Sequence, residues 1–304
     1  MKLARLQPTR VQERLTGQGL ILATPPFTFK IRASSPEVRN GLLAAYAEYE
    51  VLEDPAWVDF EIHLYPAPGI RRWLHPLIAL SIDGQTPFDP LPATQAFPLL
   101  EWAMNWCVTS TAHQFIMCHS AVLAKGDNAA ILPAPPGSGK STLCAALSLS
   151  GWRLLSDELA LIETDSLNVV PFARPVSLKN GAIDVIANRF DQAVLTPRVH
   201  DTIKGTVSHM RAPRDMADPS HPARPRWVVL PHYSDGCEFS FVQISKAEGV
   251  AELARNSFNF SAIGQVGFES FAKLADQVDF YHLNYSRLDD ALEFFDTLAA
   301  GCPA

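Results

Sequence analysis

The sequence predicts an α/β protein in two parts, and three observations carry that prediction. Residues Phe27–Ala33 alternate apolar and polar side chains and run into a segment with helical spacing, as a half-buried strand followed by a helix does. Ala129–Leu132 is a short apolar strand that leads through a glycine loop into a helix-forming segment, Thr142–Ser148. Trp152–Ile162 follows that helix directly and reads as one further buried strand. An α/β core is therefore expected over residues 113–304, preceded by a smaller α/β lobe over residues 1–112.

Taken in order, residues 1–24 show no clear period. Phe27, Phe29 and Ile31 share one face of the first strand. Ser34, Ser35 and Pro36 supply a cap and a first turn for a helix over Glu37–Tyr49. Trp57–Tyr65 alternates again, Leu77–Ile82 is another strand, and Asp83-Gly84 is a hairpin-turn pair. Pro87, Pro90, Pro92 and Pro98 stiffen the connection to a largely buried helix, Leu99–Thr111, which carries Trp102, Met104 and Trp106. Phe115–Ala124 and Ala129–Leu132 are expected to lie side by side across a turn at Lys125–Asn128. Further on, Trp227–Leu230, Glu238–Ile244 and Phe280–Leu283 read as strands. Ala247–Arg255, Phe268–Val278 and Leu288–Ala300 read as helices. Residues 211–226 place Arg211, Arg214, Arg224 and Arg226 among prolines and read as a loop, either a solvated connector or a lid over a substrate.

Composition narrows the function classes. The chain has 304 residues, 47% of them hydrophobic and 19% charged, with a net charge of −7. An acidic balance of this kind does not suit a nucleic-acid surface. No apolar run reaches the roughly 20 residues of a membrane span, and no leader pattern follows Met1–Arg14. Cys107, Cys118, Cys144, Cys237 and Cys302 are scattered, without metal-ligand spacing, so reduced thiols and a cytoplasmic location are expected. His200, His209 and His232 are not spaced for a metal either.

The chemistry concentrates in Ala134-Pro135-Pro136-Gly137-Ser138-Gly139-Lys140-Ser141-Thr142. Gly139, Lys140 and Ser141 are the closing positions of a phosphate-binding P-loop, in which backbone N–H groups, an ammonium and a hydroxyl surround a nucleotide's phosphates. Ala134 replaces the usual first glycine, and Pro135 and Pro136 have no N–H to offer. The cradle is therefore expected from Gly137, Ser138, Gly139, Lys140, Ser141 and Thr142. Gly137 and Gly139 supply the left-handed backbone that lets the chain approach the ligand.

Asp157-Glu158 closes the next apolar run, one helix and one turn after the loop. Alone, an acidic pair is a solvated strand end. Behind a P-loop it supplies a ligand for Mg²⁺, assigned to Asp157 together with Ser141, and a base, assigned to Glu158. ATP and Mg²⁺ are the expected cofactors. Arg174, Lys179 and Lys204 are further candidates for charge on a phosphoryl group, each equally at home on a surface.

The stretch from His119 to Glu158 resembles the catalytic core of HPr kinase/phosphorylase. The matching residues are His119-Ser120, Ala134–Ser141, Gly151-Trp152-Arg153-Leu154 and Asp157-Glu158. Fainter features over Phe172–Asn180, Asp201–His209 and Asn256–Asn259 are similar to the related kinase A group. The second acid is Glu158 where that family has Asp, and Ser177–Asn180 carries no acid where the family has a Glu-x-Arg-Gly element. The resemblance implies a mixed-sheet core like that of phosphoenolpyruvate carboxykinase. It also implies an ATP-dependent kinase acting on a serine hydroxyl of a small protein or peptide, with His119 orienting the base and a homo-oligomer compatible with the family's assembly. A nucleotide-dependent switch without an acceptor, or a kinase of small-molecule hydroxyls, fits the same loop and acids.

Overall fold

The computed structural model describes residues 1–69, 75–135, 137–213 and 221–301, so Pro136, Arg214 and Cys302 lie outside the described residues. The chain packs as two compact units. One comprises Met1–Thr111, Ser177–Ile183 and Val194–Arg211; the other comprises Ala112–Val176, Asp184–Ala193 and Ala212–Ala304. The continuous division 1–112 and 113–304 expected from the sequence is thus interrupted twice, with two later segments joining the first unit.

The first unit begins with a 3-10 turn at Leu3–Arg5, then α1 (Pro8–Thr16), β1 (Leu20–Thr24) and β2 (Phe27–Ala33). It continues through α2 (Pro36–Ala45), β3 (Glu50–Leu52), β4 (Phe60–Pro66), β5 (Leu77–Ile82), β6 (Leu91–Pro92) and α3 (Ala96–Thr111). The strands form one mixed sheet in the order β3-β1-β2-β4-β5-β6. Ser35 caps α2 by accepting from Val38 N–H, and Pro36 opens its first turn, as the sequence predicts. α1 and β1 fall in the stretch that shows no period in the sequence. Only Val11 and Leu15 of α1 are buried, too few apolar positions to mark a helix.

The second unit holds β7 (Phe115–Cys118), β8 (Ser120–Lys125), β9 (Asn128–Pro133), α4 (Lys140–Leu149), β10 (Arg153–Ser156), β11 (Ala160–Glu163) and β12 (Val169–Val170). The chain then runs through β13 (Val176–Lys179), α5 (Gly181–Arg189), β14 (Val199–Thr202) and β15 (Gly205–Met210), the three strands forming a small sheet in the order β13-β15-β14. It ends with β16 (Arg224–Tyr233), β17 (Ser240–Gln243), α6 (Lys246–Arg255), α7 (Phe260–Gln277), β18 (Asp279–Tyr285) and α8 (Leu288–Ala300). The central sheet runs β10-β8-β9-β16-β18-β17, parallel across β9, β16 and β18 and antiparallel elsewhere. The protein is therefore α/β with mixed sheets.

Side-chain alternation sorts the two faces of this sheet. Val122, Ala124, Ala129, Ile131, Val228 and Phe280 join Leu253, Phe271 and Leu274 of α6 and α7 in one core, together with Ile116, Ala160 and Ile162 from a second sheet, β12-β11-β7. On the opposite face Trp152, fully buried, meets Trp227 of β16 and Phe295 of α8 edge-on.

Two expectations are corrected. Phe115–Ala124 is not one strand but two, β7 and β8, which belong to different sheets and part at His119. Trp152–Ile162 divides in the same way into β10 and β11, parting at Asp157-Glu158. Of the arginine-rich loop, Arg224 and Arg226 lie on β16, and the Arg211 side chain donates to Ala44 O.

The four described cysteines are free thiols, and Cys107, Cys118 and Cys144 are buried. Burial pushes the Cys118 thiol up to about 12 and Cys144 well above its ordinary value. Since the thiolate is the reactive form, neither is labelled by iodoacetamide in the native protein at mildly alkaline pH, and both are labelled once the chain unfolds. Peptide mapping of the alkylated protein checks this; native labelling at Cys144 would contradict the packing of α4.

Candidate active site

The P-loop joins the end of β9 to the start of α4. Ala134 is buried and Pro135 exposed. Gly137 and Gly139 both take left-handed backbone, with φ of 90° and 85°. The loop is anchored from the neighbouring strand: Tyr233 N–H at the end of β16 donates to Ser138 O at 3.0 Å, and Tyr285 Oη at the end of β18 reaches Gly139 O at 3.4 Å. The first helical bond of α4 runs from Leu143 N–H to Gly139 O, so the preceding N–H groups open toward the loop with the positive end of the helix dipole. At the other end, Gly151 takes a φ of 93° and Trp152 N–H returns to Leu147 O, closing α4 in the Schellman pattern.

Gly139 is fixed by more than its dihedral. A Cβ there would sit 2.5 Å from Tyr285 Oη and 2.8 Å from Tyr233 Cβ. Gly139→Ala is expected to destabilise the fold by roughly 2–5 kcal/mol, combining left-handed strain with overpacking. The midpoint of urea unfolding should fall accordingly; an unchanged midpoint would mean that the tyrosines give way freely.

The two strand breaks meet. β7 pairs with β11 from Ala160↔Cys118 onward, and β8 pairs with β10 up to Ser156↔Val122, so both chains leave one sheet for the other at the same level. The residues left outside the ladders are His119 on one segment and Asp157-Glu158-Leu159 on the other. Ser156 Oγ accepts from Leu159 N–H at 3.0 Å and holds the acidic pair at the tip of a tight turn. His119 Nε2 lies 3.4 Å from Glu158 Oε2 and 3.2 Å from Lys140 Nζ. Lys140 is buried, as is Asp157, while His119 and Glu158 are partly exposed.

Cys144 locates the acids relative to α4. It stands one helical turn after Lys140, and its thiol is raised by burial first, then by the Asp157 charge and a hydrogen bond to Asp157, with Glu158 adding and Lys140 opposing. The same thiol reaches Ser156 O, at the residue before the acidic pair, at 3.8 Å. Ser141 and Thr142 are partly exposed on the first turn of α4.

The segment between α6 and α7, which holds the Asn256–Asn259 feature similar to the kinase A group but no assigned site residue, also reaches the site. Asn256 O accepts from His119 N–H at 2.7 Å, and Phe258 N–H donates to Met117 O at 2.8 Å. Asn259, buried, accepts from Met117 N–H through Oδ1 at 3.0 Å and donates to Phe115 O through Nδ2 at 2.8 Å. The segment thus acts as an edge partner for β7 and fixes the half-exposed Phe258 ring against His119, edge-on with centroids 5.9 Å apart. In the sequence this segment is marked by the Asn256–Asn259 feature of the resemblance, which assigns no role to Phe258.

Other candidates resolve differently. Arg174 is buried, with its guanidinium 5.0 Å from the Phe172 ring. Lys179 lies on β13 and Lys204 at the tip of the β14–β15 hairpin, both in the first unit. His209 is buried edge-on against Phe97, and His200 Nδ1 pairs with Thr206 Oγ1.

The donor set can be tested against the groups expected there. Ser138 Oγ is buried without a hydrogen-bond partner among the described residues, an orphan hydroxyl within the glycine loop. Among the described residues no group of three His, Cys, Asp or Glu could hold a metal alone. Ser141 hydroxyl and Asp157 carboxylate are hard oxygen donors of the kind Mg²⁺ takes in ones and twos, completing its shell with phosphates and water. The set fits a magnesium nucleotide and not a dedicated protein cage. No helix among the described residues is long and apolar enough to cross a membrane. Comparison with models of known protein families and with curated proteins finds no match to this chain.

Proposed function

We propose that this protein is an ATP-dependent kinase that transfers the γ-phosphate to a hydroxyl, with a serine of a small protein or peptide as the acceptor. The observation that supports it is the row Lys140, His119, Glu158, in which a P-loop ammonium, an imidazole and a carboxylate stand within 3.2 and 3.4 Å of one another. A nucleotide-binding switch needs the loop, but it has no use for a base positioned beside it.

In this reading the N–H groups of Gly137 through Thr142 hold the phosphates, and Lys140 carries charge to the oxygens that become more negative in the transition state. Glu158 takes the proton of the acceptor hydroxyl as its oxygen bonds to the γ-phosphorus and the bond to the bridging oxygen breaks. His119 orients the Glu158 carboxylate. Mg²⁺, held by Ser141 and Asp157, would neutralise charge on the phosphates. The partly exposed His119 and Glu158 leave the acceptor an approach from solvent. The mixed sheet and the short path from P-loop to acidic pair support a core like that of phosphoenolpyruvate carboxykinase, in the HPr-kinase-like group. A cytoplasmic location and a homo-oligomer belong to the same proposal.

The test is transfer from γ-labelled ATP in a lysate of the source cell, with wild type and Asp157→Asn compared. A single labelled polypeptide with wild type alone is expected. ATP binding with no labelled band would overturn the protein-acceptor reading.

A further inference from the structure

One nitrogen of His119 serves two groups that make opposite demands. Lys140 Nζ, at 3.2 Å from Nε2, is a donor only and needs the lone pair there. Glu158 Oε2, at 3.4 Å from the same nitrogen, is an acceptor when ionised and needs an N–H there. A neutral imidazole satisfies one or the other, since its single proton sits on Nδ1 or on Nε2. The two contacts are therefore alternatives, and the position of the ring proton decides which one is made.

The backbone of His119 is fixed by its N–H bond to Asn256 O at 2.7 Å, and its ring packs nearly perpendicular to the Phe258 ring. What can move is Lys140, a point charge on a flexible four-carbon stem whose preferred partner in a P-loop is phosphate.

We infer that His119 is a positioning residue whose tautomer is set by the nucleotide. Without nucleotide, Lys140 donates to Nε2 and the ring proton stays on Nδ1. When phosphates draw Lys140 away, the Nδ1 proton passes to solvent and another arrives at Nε2, leaving the charge of the ring unchanged. The new Nε2–H donates to Glu158 and orients its carboxylate toward the acceptor hydroxyl. The base is thereby oriented only after nucleotide has bound, which orders the two substrates. This inference rests on Lys140 being a phosphate ligand.

The measurement is a long-range ¹H–¹⁵N spectrum of the full chain labelled at histidine nitrogens, at mildly alkaline pH, with the His119 signals assigned by their loss in His119→Gln. MgADP and a magnesium complex of a non-hydrolysable ATP analogue are titrated in, and calorimetry on the same samples reads binding. The pyrrole-type resonance of His119 is expected to shift from Nδ1 to Nε2 as either nucleotide saturates. Lys140→Ala should show it on Nε2 with no nucleotide present. Heat of binding without a change of tautomer would overturn the inference while leaving the phosphate-binding reading intact. No heat of binding would overturn both. The wild-type titration decides the matter by itself if Lys140→Ala does not fold.

Discussion

Lys140→Ala is expected to abolish phosphoryl transfer, lowering turnover by at least roughly 100- to 1,000-fold, the range seen when one preorganised charge is removed from a developing oxyanion. The size of the effect follows from where the ammonium sits. Lys140 opens α4 behind a left-handed glycine, is buried, and lies 3.2 Å from the imidazole next to Glu158. In such a place the local dielectric is low and water cannot substitute for the missing charge. On the proposed function the substitution removes a phosphate ligand, so nucleotide affinity should fall together with turnover. Labelled-ATP transfer and calorimetry of MgADP on the same preparation check both, with circular dichroism confirming the fold. Wild-type turnover in this variant would remove Lys140, and with it the P-loop, from the mechanism.

The composition of this site was legible in the sequence, and its assembly was not. Gly137, Gly139 and Lys140 could be read as a phosphate loop because glycines at those spacings before a helix have few other uses. Their left-handed φ values agree with that reading. Most strands and helices of the second unit were legible for the same reason, since apolar period and capping residues are local properties. The two strand breaks were missed because they are not local. Phe115–Ala124 and Trp152–Ile162 are nearly continuous apolar runs, buried on both faces, and such runs carry no alternation that would mark a change of sheet. The interrupting polar residues, His119-Ser120 and Ser156-Asp157-Glu158, were the available sign that each ladder ends. No local period or capping signal pairs the two interruptions, because that depends on the antiparallel register of β7 with β11 and of β8 with β10; only the family resemblance sets His119 beside the acid. Phe258 lies within the Asn256–Asn259 feature, but its neighbour is not legible there for a similar reason. Its place beside His119 comes from the hydrogen bonds of Asn256 and Asn259 to a strand more than a hundred residues earlier in the chain.

Glu158→Gln tests the proposed division between base and metal ligand, and its expected effect is as large as that of Lys140→Ala. The amide matches the carboxylate in size, and its oxygen can still accept from the His119 ring, so the turn that Ser156 Oγ closes should persist. What is lost is basicity. Removing a positioned general base costs roughly 100- to 10,000-fold in turnover, and MgATP affinity should stay at the wild-type level because Glu158 holds no phosphate. Asp157→Asn should behave differently, weakening the response to magnesium as well as the rate, since Asp157 is the buried acid whose charge reaches the first turns of α4. A magnesium titration of transfer for the two variants distinguishes the roles. Should Glu158→Gln lose MgATP affinity and Asp157→Asn keep it, the assignments of the two acids would exchange. The pairing of His119 with Glu158 would then mean that the imidazole steadies a metal ligand, and the base would have to be sought elsewhere.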